Sequence, residues 1–165
     1  MKRIGLISDT HGHIDEKYQK YFESCDEIWH AGDIGDIEVT DYLAKIAPLR
    51  VVYGNIDNHI LRAEFPLNQR FVLEGVDVLM THIGGKPYAY TANIRDELKR
   101  RPPKVFVCGH SHICKVQMDK RLNTLYVNPG AAGVKGFHDV RTIMRFTLEK
   151  GMINDMEVIE LGKRA

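Results

Sequence analysis

Seven residues on five short segments have the side chains to hold metal ions: Asp9 and His11, Asp33, Asn55, His82, and His110 with His112. The segment Gly109-His110-Ser111-His112 stands directly behind the apolar run Val105-Phe106-Val107-Cys108. Two histidines at i and i+2 after a strand-like run cannot both face a packed core. They suit a loop at a strand end, where two imidazoles can reach ions lying side by side. Carboxylate, amide and imidazole donors without a thiolate suit Mn, Fe, Co, Ni, Zn or Mg, and donor softness does not choose among these. Seven donors exceed what one ion needs, but two ions sharing a carboxylate use them well. Taken singly, each residue has a plainer reading. An Asp after a strand caps a helix, a His is hydrogen-bonded, and Asn after Gly makes a turn. Five segments that end alike favour the metal reading.

The elements that must carry these loops are visible in the hydrophobic pattern. Arg3–Ser8, Glu27–Trp29 and Leu49–Tyr53 read as short buried strands, ended by Asp9-Thr10-His11-Gly12, His30-Ala31-Gly32-Asp33 and Gly54-Asn55-Ile56-Asp57. Between them, Ile14, Tyr18, Tyr21, Phe22 and Cys25, and then Val39, Tyr42, Leu43 and Ile46, follow helical spacing, with Pro48 ending the second stripe. Residues 58–68 show no clear period and read as a loop with a turn of helix. Arg70–Glu74 and Val76–Thr81 flank Gly75 as a hairpin whose second arm ends at His82. A loop over residues 84–87 leads to a helix from Thr91, its expected cap, to about Arg101, where Pro102-Pro103 stops it. Lys99, Arg100 and Arg101 then fall in the last helical turn, where cations suit the helix dipole, rather than forming a nucleic-acid patch. Two further hairpins turn at residues 120–123 and at Lys150-Gly151, and Met144, Phe146 and Leu148 alternate with polar residues as in a half-buried antiparallel strand. An early half alternating strand and helix and a late half of hairpins predict two sheets packed face to face with helices outside. Ligands in such folds bind beyond the carboxyl ends of strands, so the five segments can share one rim.

Composition narrows the function. The chain of 165 residues has 44% apolar and 27% charged residues and a formal net charge of +1, which gives no field for nucleic acid, membrane or acidic partners. One domain over 1–165 is expected, and no apolar run reaches the length of a membrane span. The start MKRIGLISDT turns polar too early for a signal peptide, so a cytoplasmic location is expected. Cys25, Cys108 and Cys114 are too few and too unevenly spaced for a disulfide framework. Cys114, two residues past His112, reads as a bystander.

The order Asp9-x-His11, Gly32-Asp33, Gly54-Asn55, His82, Gly109-His110-x-His112 resembles the calcineurin-like metallophosphoesterase superfamily, with Asn128-Pro129-Gly130 similar to a further family element. The chain looks most like its small uncapped bacterial and archaeal phosphodiesterases, which implies a mixed α/β fold, a four-layer α-β-β-α sandwich, with no cap domain. The resemblance implies that Asp9, His11 and His112 hold one ion, that Asn55, His82 and His110 hold the other, and that Asp33 bridges both. Asp33, Asn55 and His110 are expected to serve in catalysis too. Two divalent ions, manganese first and Ni, Co, Fe, Zn or Mg as alternatives, would activate a bridging hydroxide to attack phosphorus in line. The implied substrate is a small-molecule phosphodiester.

Two positions depart from the wider family pattern. Larger members carry a His after Gly-Asn that is thought to assist the leaving group, and here that position is Ile56. Asp57 remains to orient a neighbouring ligand, and His30, His59 or His13 could substitute for the missing histidine, each read first as structural or solvated. Where some relatives have His-Gly-His, this chain has His82-Ile83-Gly84. A retromer subunit of eukaryotes resembles the same small fold, so the alternative is a weakly catalytic or non-catalytic protein-binding scaffold. The intact Asn55 and His82 favour the enzyme. Tyr88 and Tyr90 read as packed loop residues, with a stacking surface at the rim as the second choice. The C-terminal hairpins could supply a sheet edge for a homo-oligomer.

Overall fold

The computed structural model describes residues 1–165. Its first half runs β1 (Lys2–Ile7), α1 (Glu16–Phe22), β2 (Glu27–His30), α2 (Ile37–Ala44), β3 (Leu49–Val51) and α3 (His59–Glu64). Next come β4 (Asn68–Leu73), β5 (Val76–Thr81), the two-residue strands β6 (Gly85–Lys86) and β7 (Ala89–Tyr90), α4 (Ala92–Arg100) and β8 (Val105–Val107). Four hairpin strands finish the chain: β9 (Cys114–Asp119), β10 (Thr124–Pro129), β11 (Val140–Glu149) and β12 (Met152–Lys163).

Two five-stranded sheets result, with orders β12-β11-β1-β2-β3 and β4-β5-β8-β10-β9. In the first, β1, β2 and β3 are parallel and β11 pairs antiparallel with β1. In the second, β5, β8 and β10 are parallel, with β4 and β9 antiparallel at the edges.

Side-chain alternation along each strand builds the layers. Ile4, Leu6 and Trp29 from one sheet meet Val78, Met80, Val105, Val107 and Val127 from the other in the central core. The opposite faces carry Ile7 and Ile28, packed under Tyr18, Phe22, Val39 and Leu43 of α1 and α2, and Leu79, Phe106 and Tyr126, packed under Ile94 and Leu98 of α4. Helix, sheet, sheet and helix therefore stack as four layers, as expected. Gly5 is required where α1 lies on β1, because a Cβ there would stand 2.4 Å from the Phe22 ring.

Several local expectations change. The first helix is shorter than its apolar stripe, since Asp15 caps it by accepting from Lys17 N at 2.9 Å and Ile14 stays outside. The ill-defined stretch after residue 58 contains α3, capped by the Asn58 side chain on Leu61 N at 3.1 Å. Thr91 stands at the start of α4 without capping it, because its hydroxyl donates instead to Ile83 O at 3.1 Å. Neither tyrosine lines the cleft at the strand-end rim, and only Tyr90 is packed: it is buried and donates to Asp119 at 2.7 Å, whereas Tyr88 is exposed, its ring covered on one face by Arg121.

Candidate metal centre

The parallel strands β1, β2, β3, β5 and β8 all end at one rim, and the seven residues singled out by type lie on the loops that follow them. Asp9, His11 and His112 form one group and Asp33, His82 and His110 a second, each with ligand atoms within 4.8 Å of one another. Asp33 Oδ2 stands between the groups, 3.2 Å from His82 Nε2 and 3.5 Å from His11 Nε2. Asp9 Oδ1 is 3.1 Å from His112 Nε2 and 3.9 Å from both His11 and His82. Asn55 lines the same cleft beside Asp33 and His110, its main-chain carbonyl held by Arg62 at 3.1 Å.

Backbone conformation sets these side chains on the rim. Asp9, His11, Asp33, His110 and His112 all adopt the left-handed region, with φ between 44° and 69°. That costs on the order of 1 kcal/mol apiece for residues other than glycine, and such strain gathers at functional sites. Close backbone approach is also needed: a Cβ at Gly54 would stand 2.1 Å from Asp33 Oδ1. Asp57 ties two of the loops together, its buried carboxylate accepting from Gly54 N, Ile34 N and Gly35 N at 2.7, 3.1 and 2.8 Å. It therefore braces backbone rather than orienting one ligand.

The hydrogen bonds around the site leave particular atoms free. Asp9 Oδ2 accepts from Ser8 Oγ at 2.6 Å and from His110 N at 3.1 Å, while Oδ1 has no partner. His82 Nδ1 lies 2.7 Å from Ala31 O. A carbonyl only accepts, so Nδ1 carries the proton and Nε2 presents its lone pair. The buried polar side-chain atoms without a hydrogen-bond partner are Asp9 Oδ1, His11 Nε2 and His82 Nε2, all at this point. Such orphaned atoms are costly to bury unless something coordinates them, and this donor set fits a divalent cation.

Charge within the cluster is balanced by proximity. Burial pulls His11 below the usual imidazole pKa against the attraction of Asp33 and Asp9. For His82 burial acts the same way, but the carboxylates of Asp33 and Asp9 beside the ring outweigh it and raise the value. Asp33 is held below the usual carboxylate range, its burial overcome by His82 and by the Ile56 N–H on Oδ1 at 3.1 Å.

One participant escapes the sequence pattern. His138 Nε2 lies 2.8 Å from Gly133 O and its Nδ1 lies 3.1 Å from His112 Nδ1. The carbonyl requires His138 to carry its proton on Nε2, and burial keeps the ring below the usual imidazole pKa, so Nδ1 accepts. His112 must then donate from Nδ1, which turns the Nε2 lone pair toward Asp9. Gly136 permits this edge-to-face contact: its φ is 131°, and a Cβ there would lie 2.2 Å from His112 Nδ1. Only the unusual run Gly136-Phe137-His138 hints at this in the sequence.

The histidines expected as substitutes for the absent family histidine lie elsewhere. His30 is fully buried, engaged by Thr10 Oγ1 at 3.0 Å and by Gly32 N at 3.1 Å, and burial pushes its pKa down to about 4. Neither His13 nor His59 lines the cleft. Cys114 packs against the central core and takes no part in either group.

With this geometry in hand, residues 1–151 match the family described as the calcineurin-like phosphoesterase superfamily domain. A probable metallophosphoesterase of Methanothermobacter thermautotrophicus is 29% identical over 96% of this chain and 92% of its own. Among solved structures, a novel archaeal phosphodiesterase superposes with a TM-score of 0.76 at 20% identity, covering 96% of this chain and 99% of that one. Vps29 of Entamoeba histolytica complexed with zinc superposes with a TM-score of 0.73 at 14% identity, over 96% and 98% of the two chains.

Proposed function

This chain belongs to the calcineurin-like phosphoesterase superfamily, and from that premise we propose that it is a dinuclear metal-dependent phosphodiesterase acting on small-molecule esters. The observation that carries the reading is the convergence of the unpartnered atoms Asp9 Oδ1, His11 Nε2 and His82 Nε2 around Asp33 Oδ2. In this reading Asp9, His11 and His112 would hold the first ion and Asn55, His82 and His110 the second, with Asp33 shared between the two groups. Two divalent ions bound there, manganese foremost, would lower the pKa of an attacking water and neutralise charge growing on the phosphoryl oxygens.

The chain's own residues orient and tune. The Ile56 N–H holds the Asp33 carboxylate in place between the two groups. Ser8 and the His110 N–H fix one oxygen of Asp9 so that the other faces the site. Asn55 adds a neutral oxygen donor, which limits the negative charge around the second ion, and with His110 it forms the wall a phosphoryl group would meet. Ile56 offers no proton, so esters with good leaving groups suit the site best. A 1–165 domain without a cap, working in the cytoplasm, completes the proposal; no helix of the chain is long and apolar enough to cross a membrane.

Metal-stripped protein should be assayed on bis-p-nitrophenyl phosphate and p-nitrophenyl phosphate with Mn, Ni, Co, Fe, Zn and Mg added back singly. Metal-restored cleavage of the diester above the monoester is expected, and Asp33→Asn should abolish it and weaken both ions. Absence of turnover with two ions bound per chain would overturn the reading in favour of a protein-binding scaffold.

A further inference from the structure

The cleft above the two metal-ligand groups has a volume of about 490 Å³ and a polar floor, but its lip is apolar. Ile56, Ile113 and Phe137 line it, and they are 45%, 64% and 101% exposed. Each is pinned to the site by its neighbours. Ile56 N donates to Asp33 Oδ1 at 3.1 Å. Ile113 directly follows His112, and its N–H is held by Ser111 Oγ at 3.2 Å. Phe137 stands between Gly136 and His138, both packed on His112. Three large apolar side chains are thus presented to solvent around one charged floor, the arrangement of a ligand site in which a few polar groups fix the reacting centre and apolar walls take the rest.

No Lys or Arg lines this cleft. Arg62, on α3 behind Asn55, is committed elsewhere: it donates to Asp57 O at 2.7 Å and Asn55 O at 3.1 Å and covers the Tyr53 ring at 4.9 Å. Lys135, on the loop that carries Phe137, does not reach the lining. A substrate with further phosphates would find no cation for them, and a nucleic-acid strand, whose affinity comes from Lys and Arg on successive phosphates, would find no track.

We propose that the cleft selects phosphodiesters bearing a single negative charge and an apolar, planar substituent, which rests on Phe137 between Ile56 and Ile113 while the phosphoryl group lies at the metal-ligand floor. The inference rests on the phosphodiesterase reading above and names its substrate class. The lining itself offers further phosphates no Lys or Arg, and Arg62, which borders the adjoining pocket with Asn55 and His82, spends its donors on Asp57 O and Asn55 O.

The test pairs two esters with the same leaving group, methyl p-nitrophenyl phosphate and phenyl p-nitrophenyl phosphate, on manganese-loaded protein. Calorimetric titration with methylphosphonate and phenylphosphonate supplies a readout that needs no turnover. The phenyl ester should show a KM about tenfold lower, and phenylphosphonate should bind about tenfold tighter, the effect of removing roughly 60 Å² of apolar surface from water. Phe137→Ala, a change at a side chain that touches no core, should bring the phosphonate ratio close to one and lower the ester ratio about tenfold, and because that change compares variant with wild type, the intrinsic reactivity of the esters cancels. Thymidine 3′,5′-bisphosphate should bind no tighter than thymidine 5′-monophosphate. Equal binding of the two phosphonates, a preference that survives Phe137→Ala, or a clear gain from the second phosphate would overturn the proposal. Turnover with equal ratios sinks the apolar lip alone. Absence of turnover with the tenfold phosphonate ratio intact sinks the phosphodiesterase reading and upholds the lip.

Discussion

His138 acts on the site through another residue. Its Nδ1 accepts the His112 Nδ1 proton while its Nε2 is tied to Gly133 O, so one backbone carbonyl sets the tautomer of two rings in series. Truncation as His138→Ala leaves the His112 Nδ1–H without an acceptor. It should weaken the ion at Asp9, His11 and His112 about 10- to 100-fold and leave the second ion unchanged, as two-step calorimetric titration would show. His138→Gln, whose amide oxygen can accept the same proton, should recover part of the loss. His30 makes a different prediction. Its folded pKa of about 4 lies below the unfolded value of 6.5, so between these pH values the unfolded chain binds the extra proton. The stability that a neutral, buried His30 supplies is therefore whole above pH 6.5 and lost as pH falls through 4, a difference of about 3 kcal/mol. NMR titration of the His30 ring in metal-free protein should find it neutral down to about pH 4, and a midpoint near 6.5 would contradict the burial argument.

Elements place these residues by stopping at one rim. The parallel strands β1, β2 and β3 deliver Asp9, Asp33 and Asn55, and β5 and β8 deliver His82 and the His110-His112 pair. Short strands serve here because only their last residues matter to the site. The helices behind them hold the strands in plane, and α1 does so through the Phe22 ring over Gly5. Gly5→Ala places a methyl 2.4 Å from that ring and should cost on the order of 1–3 kcal/mol in urea unfolding. Its metal binding and turnover should stay at wild-type levels once folded, because the clash lies on the helix side of the sheet. The helix at residues 59–64 escaped notice because six residues span too few turns to show a stripe. Thr91 misled for a related reason: a cap residue is recognised by type, but which acceptor or donor its hydroxyl finds depends on the neighbouring loop.

Seen whole, the site is shared between two sheets. Asp9, His11, Asp33 and Asn55 come from the first, and His82, His110 and His112 from the second, so bound ions would staple the sandwich at one end. Ligands that bind only the folded state stabilise it by mass action, about 2.7 kcal/mol at a hundred times Kd. Manganese at that excess should raise the thermal midpoint of metal-free protein by about 5–10 °C, and chelator should reverse the rise. Scanning calorimetry would check this, and Asp33→Asn should remove most of the shift. The four-layer stack also explains why the rim is open: both helix layers cover the outer faces of the sheets, and neither folds over the strand ends.

The sequence by itself determined the alternation of strand and helix, the two hairpins of the late half, the layered fold and the seven residues at strand ends. All of these are local patterns: period, run length, turn chemistry and the residue that ends each run. Only the tertiary structure decided which loops meet. His138 lies 26 residues beyond His112, Asp57 reaches back to Ile34 and Gly35, and Phe137 shares a lip with Ile56. No periodicity records such pairs, because a hydrogen bond or a shared wall between distant loops depends on backbone paths fixed by the packing of the sheets.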